Sequence, residues 1–267
     1  MLSAPFFWQS YLMPPAEPPD PIPRASDSPP GPVVFATTHW TVILTAKDTS
    51  QPEAQEALAR LCQTYWAPLY SYLRRDGHSS HDAEDLVQAF FERFLEKNFL
   101  KDVERQRGRF RSFLLAALRH FIFNENRANK RLRRGGQLIR ISLDVPEEEL
   151  HCQTELAHAG TPEKAYDRRW AQAIMANARH RLESEMTTAG KGRNYQILQQ
   201  WLATDPAPGE YEAAAPDLNF SPRTVGVAVF RLRQRFRELV RSEVADTVSE
   251  MDDVQEEMRY LLEVITQ

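Results

Sequence analysis

The residues of this chain whose types and spacing could do chemistry are cations and rings gathered on one helical face. Gly108 to Arg134 reads GRFRSFLLAALRHFIFNENRANKRLRR. Phe110, Phe113, Leu114, Ala117, Leu118, Phe121 and Ile122 recur at the spacing of an amphipathic helix. The opposite face carries Arg109, Ser112, Arg119, Phe123, Asn126, Arg127, Lys130 and Arg134. Phe123 falls roughly 160° from the centre of the apolar stripe. Cations there can neutralise phosphates, and an exposed ring can stack on an unpaired base for ~1–3 kcal/mol. The competing reading is that Phe123 packs beneath another part of the chain.

Two further segments present polar faces. Tyr211 to Val240 reads YEAAAPDLNFSPRTVGVAVFRLRQRFRELV. A short helix, a turn at Asn219-Phe220, Ser221 as cap and Pro222 as first helical residue predict a helix-turn-helix. Val225, Val229, Leu232, Phe236, Leu239 and Val240 form its core side. Arg223, Val227, Phe230, Arg231, Gln234 and Arg241 face away with Thr224 at the flank, a surface able to reach base edges and phosphates. An ordinary helical hairpin with a basic surface is the plainer alternative. Ser80 to Asn98 predicts a third helix, with Ser80 as cap and Asp82, Glu84 and Asp85 in the first turn, where the dipole favours acids. Leu86, Val87, Phe90, Phe91, Phe94 and Leu95 form its buried stripe. Asp85, Gln88 and Glu92 share a polar face suited to a partner's basic helix, or serve only dipole compensation and solubility.

Other chemistries lack their residues. The sequence has no GxGxxG or GxxxxGK[ST] string, few glycines (10) and many prolines (18), which argues against Rossmann and P-loop enzymes. Cys62 and Cys152 are far apart with no CxxC, which speaks against a disulfide scaffold or a structural zinc site. His78 and His81, with Asp82 or Glu84, lack the further ligand a metal needs. No catalysis, metal or cofactor is expected. No apolar run approaches the ~20 residues that span a bilayer, so no membrane insertion is expected, and with only two distant cysteines a reducing cytoplasm fits best.

These faces must be positioned by helices. The chain has 267 residues, 42% of them apolar, enough for one large domain or two small ones. Residues 1–35 are read as a disordered proline-rich tail. Residues 36–134 form a first helical block, 135–160 a linker, and 161–243 a second helical block opening on Thr161-Pro162-Glu163. Residues 244–267 form an acidic C-terminal helix. No alternating run makes a convincing strand, so the predicted fold class is all-α in two lobes. Charge sorts by segment: twelve Lys/Arg against three acids over 101–140, and six Arg against Glu238 over 221–241. The segment 141–163 has six acids and no Lys or Arg, and 242–267 has eight acids against Arg259. Two basic blocks on separate lobes suggest two contacts with a polyanion.

The order YWAPLYSYLRRDGHSSHDAEDLVQAFFERFLEK, then RGRFRSFLLAALRHFIFNENR, then a C-terminal helix-turn-helix, resembles bacterial extracytoplasmic-function (ECF) sigma factors. The likeness runs over about 38–134 and 161–243, and DAEDL-x-Q-x-FF is its most specific part. The resemblance implies that Asp82, Asp85, Gln88, Phe91 and Glu92 dock on the clamp helices of core RNA polymerase. It assigns the promoter's −10 element to Arg109, Arg111, Ser112, Arg119, Phe123, Asn124, Arg127 and Lys130, and the −35 element to Arg223, Thr224, Val227, Arg231 and Gln234. It further implies an acidic linker threading the RNA exit path, a free monomer that binds promoters poorly without polymerase, and an anti-sigma or other regulatory protein as a possible partner. Three features depart from the family: Phe113 stands where many relatives have tryptophan, Pro216 predicts an end or kink at Ala215, and the acidic extension exceeds a minimal sigma factor. In that extension Val244, Val248, Met251, Gln255, Met258 and Leu262 make a near-heptad stripe, with Val254, Leu261 and Val264 beside it. This helix is expected to fold back on a basic DNA face, to dock on a regulator, or simply to extend the second lobe's core. Outside the sigma reading stand two alternatives, a stand-alone helix-turn-helix regulator and a helical adaptor that binds proteins only.

Overall fold

The computed structural model describes residues 52–96, 109–132, 160–248 and 251–266. The proline-rich segment 1–35, residues 36–51 of the first block and residues 135–159 of the linker lie outside the described residues. The described chain is helical throughout, without strands, as its apolar periodicities require. Its α-helices are α1 (Pro52–Arg75), α2 (Ser80–Glu96), α3 (Phe110–Leu132), α4 (Pro162–Thr188), α5 (Gly192–Leu198), α6 (Glu210–Leu218), α7 (Pro222–Ala245) and α8 (Met251–Thr266), with a 3-10 turn at Gln199–Trp201.

Local chemistry sets the boundaries. Gly77 (φ +98°) occupies the left-handed position that turns the chain out of α1, where His78 N–H donates to the Leu73 carbonyl at 3.1 Å. The cap of α2 is Ser79 rather than the expected Ser80. Asp82 N–H donates to Ser79 Oγ (3.1 Å), and the same hydroxyl donates to the Asp82 carboxylate (2.7 Å). Thr161 caps α4 by accepting from Lys164 N–H, and Ser221 caps α7 by accepting from Thr224 N–H, each followed by proline at the first helical position. The helix α6 runs through Pro216 to Leu218 instead of ending at Ala215. Proline lies in the last turn, where the helix continues for only two residues beyond it, and Asn219 (φ 53°) then ends the helix.

The buried side chains form one continuous core from Leu61 to Leu262. The two helical blocks pack directly on each other, α4 lying along α1 and continuing to α7 and α8. Trp170, Ile174, Ala178 and Leu182 of α4 are buried, as are Leu61, Tyr65, Leu69 and Leu73 of α1. Tyr65 meets Phe110 edge-on, with ring centroids 5.0 Å apart, so α3 keys into the same seam. Phe90 and Phe94 of α2 close the other side of α3 against Phe121 and Phe113. The C-terminal helix buries Val254, Met258, Leu261 and Leu262, whereas Gln255, assigned to its apolar stripe, is exposed.

Candidate functional site

Two faces of the first block stand side by side. On α2, Asp85, Gln88 and Glu92 are exposed and Asp82 is half-buried. Gln88 Nε2 donates to Glu92 Oε1 at 3.0 Å, and His81 Nε2 lies 3.7 Å from Asp85. Phe91, expected among the docking residues, is core: it is buried against Phe90, with ring centroids 5.5 Å apart.

On α3, Ser112, Arg119, Phe123, Asn124 and Arg127 are exposed. Phe123 is 61% exposed, and the Arg127 guanidinium lies 5.8 Å from its ring centre. Packing beneath the described part of the second block is therefore not its role. Asn124 Nδ2 lies 3.3 Å from His120 Nδ1. The side chains of Asn126 and Lys130, and all of Arg134, lie outside the described residues.

The arginines at the head of this face are engaged by acids from the second half of the chain. Arg109 Nη2 pairs with Glu256 at 2.6 Å and its Nε with Glu257 at 3.0 Å. Arg119 pairs with Glu163, donates from Nε to the Tyr72 hydroxyl at 3.0 Å, and sits over the Tyr72 ring. Arg111, expected on the DNA face, is instead buried. Its Nε and Nη2 meet the Glu257 carboxylate, its Nη1 meets Asp167 at 3.0 Å, and its guanidinium lies 4.0 Å from the Tyr260 ring centre and 5.2 Å from that of Trp170. The physical reason is register. Seven residues advance a helix to within about 20° of the starting direction, so Arg111 shares the inward side with Leu114 and Leu118.

Burial of Arg111 works against its charge, but the hydrogen bond and charge of Glu257, with Asp167, outweigh that and hold its pKa above the usual guanidinium value. Tyr260 donates its hydroxyl to Asp167 Oδ2 at 2.6 Å, and burial together with that bond pushes its pKa up to about 12. The neutral phenol is therefore the stabilising form. Its contribution is complete below pH 10, the ordinary value for a phenol, and is lost as pH rises through about 12. Burial also raises the pKa of Tyr65 and Tyr166, so alkaline titration followed by tyrosinate absorbance should show several late-ionising tyrosines, with the change near pH 12 reduced in Tyr260→Phe.

The expected helix-turn-helix falls on α6 and α7, joined by the turn at Asn219 and Phe220. A Cβ at Gly226 would come within 3.3 Å of the Tyr211 ring, so a larger residue there would require the ring to shift by a few tenths of an ångström. Arg233 ties α7 to the preceding loop, donating to the Trp201 and Thr204 carbonyls at 2.7 Å each. Arg223, Thr224, Val227, Arg231 and Gln234 are all exposed on the outer face, as is Phe230, 68% exposed and left out of the residues assigned to DNA reading. Sequence reasoning missed Glu257 altogether. An acid between Val254 and Leu261 on an apolar stripe was the signal for a buried cationic partner.

Among the described residues no helix is long and apolar enough to cross a membrane. No curated protein and no solved structure matches the chain. The family model of sigma-70 region 2 matches residues 54–132, the stretch that contains α1, α2 and α3. Over those residues the first block of this chain is similar to sigma-70 region 2.

Proposed function

We propose that the protein is a sigma factor of the extracytoplasmic-function type, which brings core RNA polymerase to a subset of promoters and helps open them. The observation that carries this reading is Phe123, standing exposed among Ser112, Arg119 and Arg127 on the third helix of the stretch similar to region 2. A ring placed there stacks on a base only when that base is unpaired. The polar face of α2 supplies the polymerase-docking surface through Asp82, Asp85, Gln88 and Glu92, and the outer face of α7 reads the −35 element through Arg223, Thr224, Val227, Arg231 and Gln234. Arg109 and Arg119, together with Arg127, contact backbone phosphates near the −10 element. Melting is driven by binding energy and uses no catalytic group. A cytoplasmic location and control by an anti-sigma protein go with this reading.

Retention of bacterial core polymerase by the purified protein tests it. Wild type is retained, and Asp85→Lys/Glu92→Lys is expected to lose at least about tenfold in affinity, since each reversal puts like charge against a basic partner. If wild type is not retained even at low salt, the polymerase-docking reading falls. The exposed Val227 and Phe230 beside Arg231 on α7 would then favour the stand-alone regulator. That reading demands tight binding to duplex sites by the protein alone.

A further inference from the structure

The pairs at the head of α3 form a pattern. Arg109, part-buried just ahead of α3, and Arg119, exposed on it, flank Ser112, and each guanidinium is held by carboxylates from α4 or α8. The acids are of two kinds. Glu257 is fully buried and, with Asp167, locks Arg111 beneath Trp170 and Tyr260, so it anchors α8 in place. Glu256 and Glu163 are 58% and 46% exposed, so their pairs with Arg109 and Arg119 are open to exchange with solvent ions. Backbone bonds fix the register: Phe110 N–H donates to the Thr247 carbonyl at 3.0 Å, and Arg109 bridges to Val248 in antiparallel fashion. The segment entering α8 is thereby stitched to the start of α3. Carboxylates on a helix flank present oxygens to guanidinium much as phosphates do.

We propose that α8 and the head of α4 form an acidic clasp in which Glu256 and Glu163 occupy Arg109 and Arg119, so that the free protein keeps its phosphate-binding cations paired until a nucleic-acid backbone displaces the carboxylates. This rests on the reading of α3 as a DNA-contacting helix. The clasp has a fixed hinge, the Arg111–Glu257–Asp167 cluster, and an exchangeable rim, the Arg109–Glu256 and Arg119–Glu163 pairs. It lowers the affinity of the free protein for DNA, because a phosphate reaches Arg109 or Arg119 only by displacing a carboxylate already in place.

The test uses the full-length protein and a fluorescent DNA of mixed sequence with an unpaired stretch, titrated at several salt concentrations. Removal of α8 would expose Val254, Leu261 and Leu262, so the rim alone is altered. Glu163→Gln/Glu256→Gln is expected to bind about tenfold more tightly at low salt, and to steepen the slope of log affinity against log salt by about 1.4, the value for two added single-strand phosphate contacts. Glu212→Gln/Glu263→Gln changes net charge equally at exposed positions away from the arginines and should leave the slope unchanged. Arg109→Gln/Arg119→Gln should weaken binding. Equal strengthening by the two Glu→Gln pairs would reduce the effect to net charge and overturn the clasp. So would unchanged binding by Glu163→Gln/Glu256→Gln while the arginine variant weakens, an outcome that leaves the DNA face standing. No effect from either the rim or the arginine variant would overturn both the clasp and the DNA-contacting reading of α3.

Discussion

Arg111→Leu is expected to destabilise the fold by about 3–5 kcal/mol, the cost of leaving a buried charge without its partner. Glu257 has no exposed surface, and its other neighbour is Arg109, itself drawn outward by Glu256. Without Arg111, Glu257 keeps only the Arg109 Nε 3.0 Å away, and Tyr260 and Trp170 lose the cation that lies over them. The companion variant Arg111→Leu/Glu257→Leu removes both charges together and should recover most of the loss, because apolar replacement of a whole buried pair is often neutral or stabilising. Asp167 tolerates this, being part-exposed and still accepting from Tyr260. Urea unfolding separates the two: the single variant shifts the midpoint far below wild type, and the double returns it toward wild type with an unchanged slope. A loss under about 1 kcal/mol for the single variant would show that α8 is not anchored through this cluster.

The same cluster marks where the sequence could be read and where it could not. Helix periodicity places α2, α3 and α7 and their buried stripes because each stripe repeats over several turns. Thr161 and Ser221 are legible as caps because proline follows each. Arg111 was assigned to the DNA face from its place in a family motif, although its spacing from Leu114 and Leu118 turns it inward. Glu257 was passed over because an acid within an acidic segment looks like solvated charge. Each of these residues alone is an anomaly on an apolar stripe; together they are a pair about 150 residues apart in sequence, and no local rule relates them. The direct packing of α4 on α1 escaped for the same reason, since an amphipathic stripe says that a face is buried and not what buries it. At Pro216 the expected end at Ala215 does not occur, since the helix runs on to Leu218 before Asn219 closes it.

Phe123 separates melting from mere DNA retention. Phe123→Ala is expected to weaken binding to DNA with an unpaired stretch by about 5- to 150-fold, the range of ~1–3 kcal/mol for one stacked base. Binding to fully paired duplex should be unchanged, because no unpaired base is offered and Arg119 and Arg127 remain. The fold should be unaffected, since the ring is 61% exposed and its near neighbour is the Arg127 guanidinium. Phe123→Leu keeps bulk and apolarity but has no π-face, so it distinguishes stacking from generic burial: equal loss in both variants identifies stacking, and recovery in Leu identifies an apolar contact. Polymerase capture through Asp85 and Glu92 should be the same in both variants, since those acids lie on α2 and the ring on α3. Equal weakening on paired and unpaired DNA would make Phe123 a support for the neighbouring cations, and strand opening would then have to be sought elsewhere on the chain.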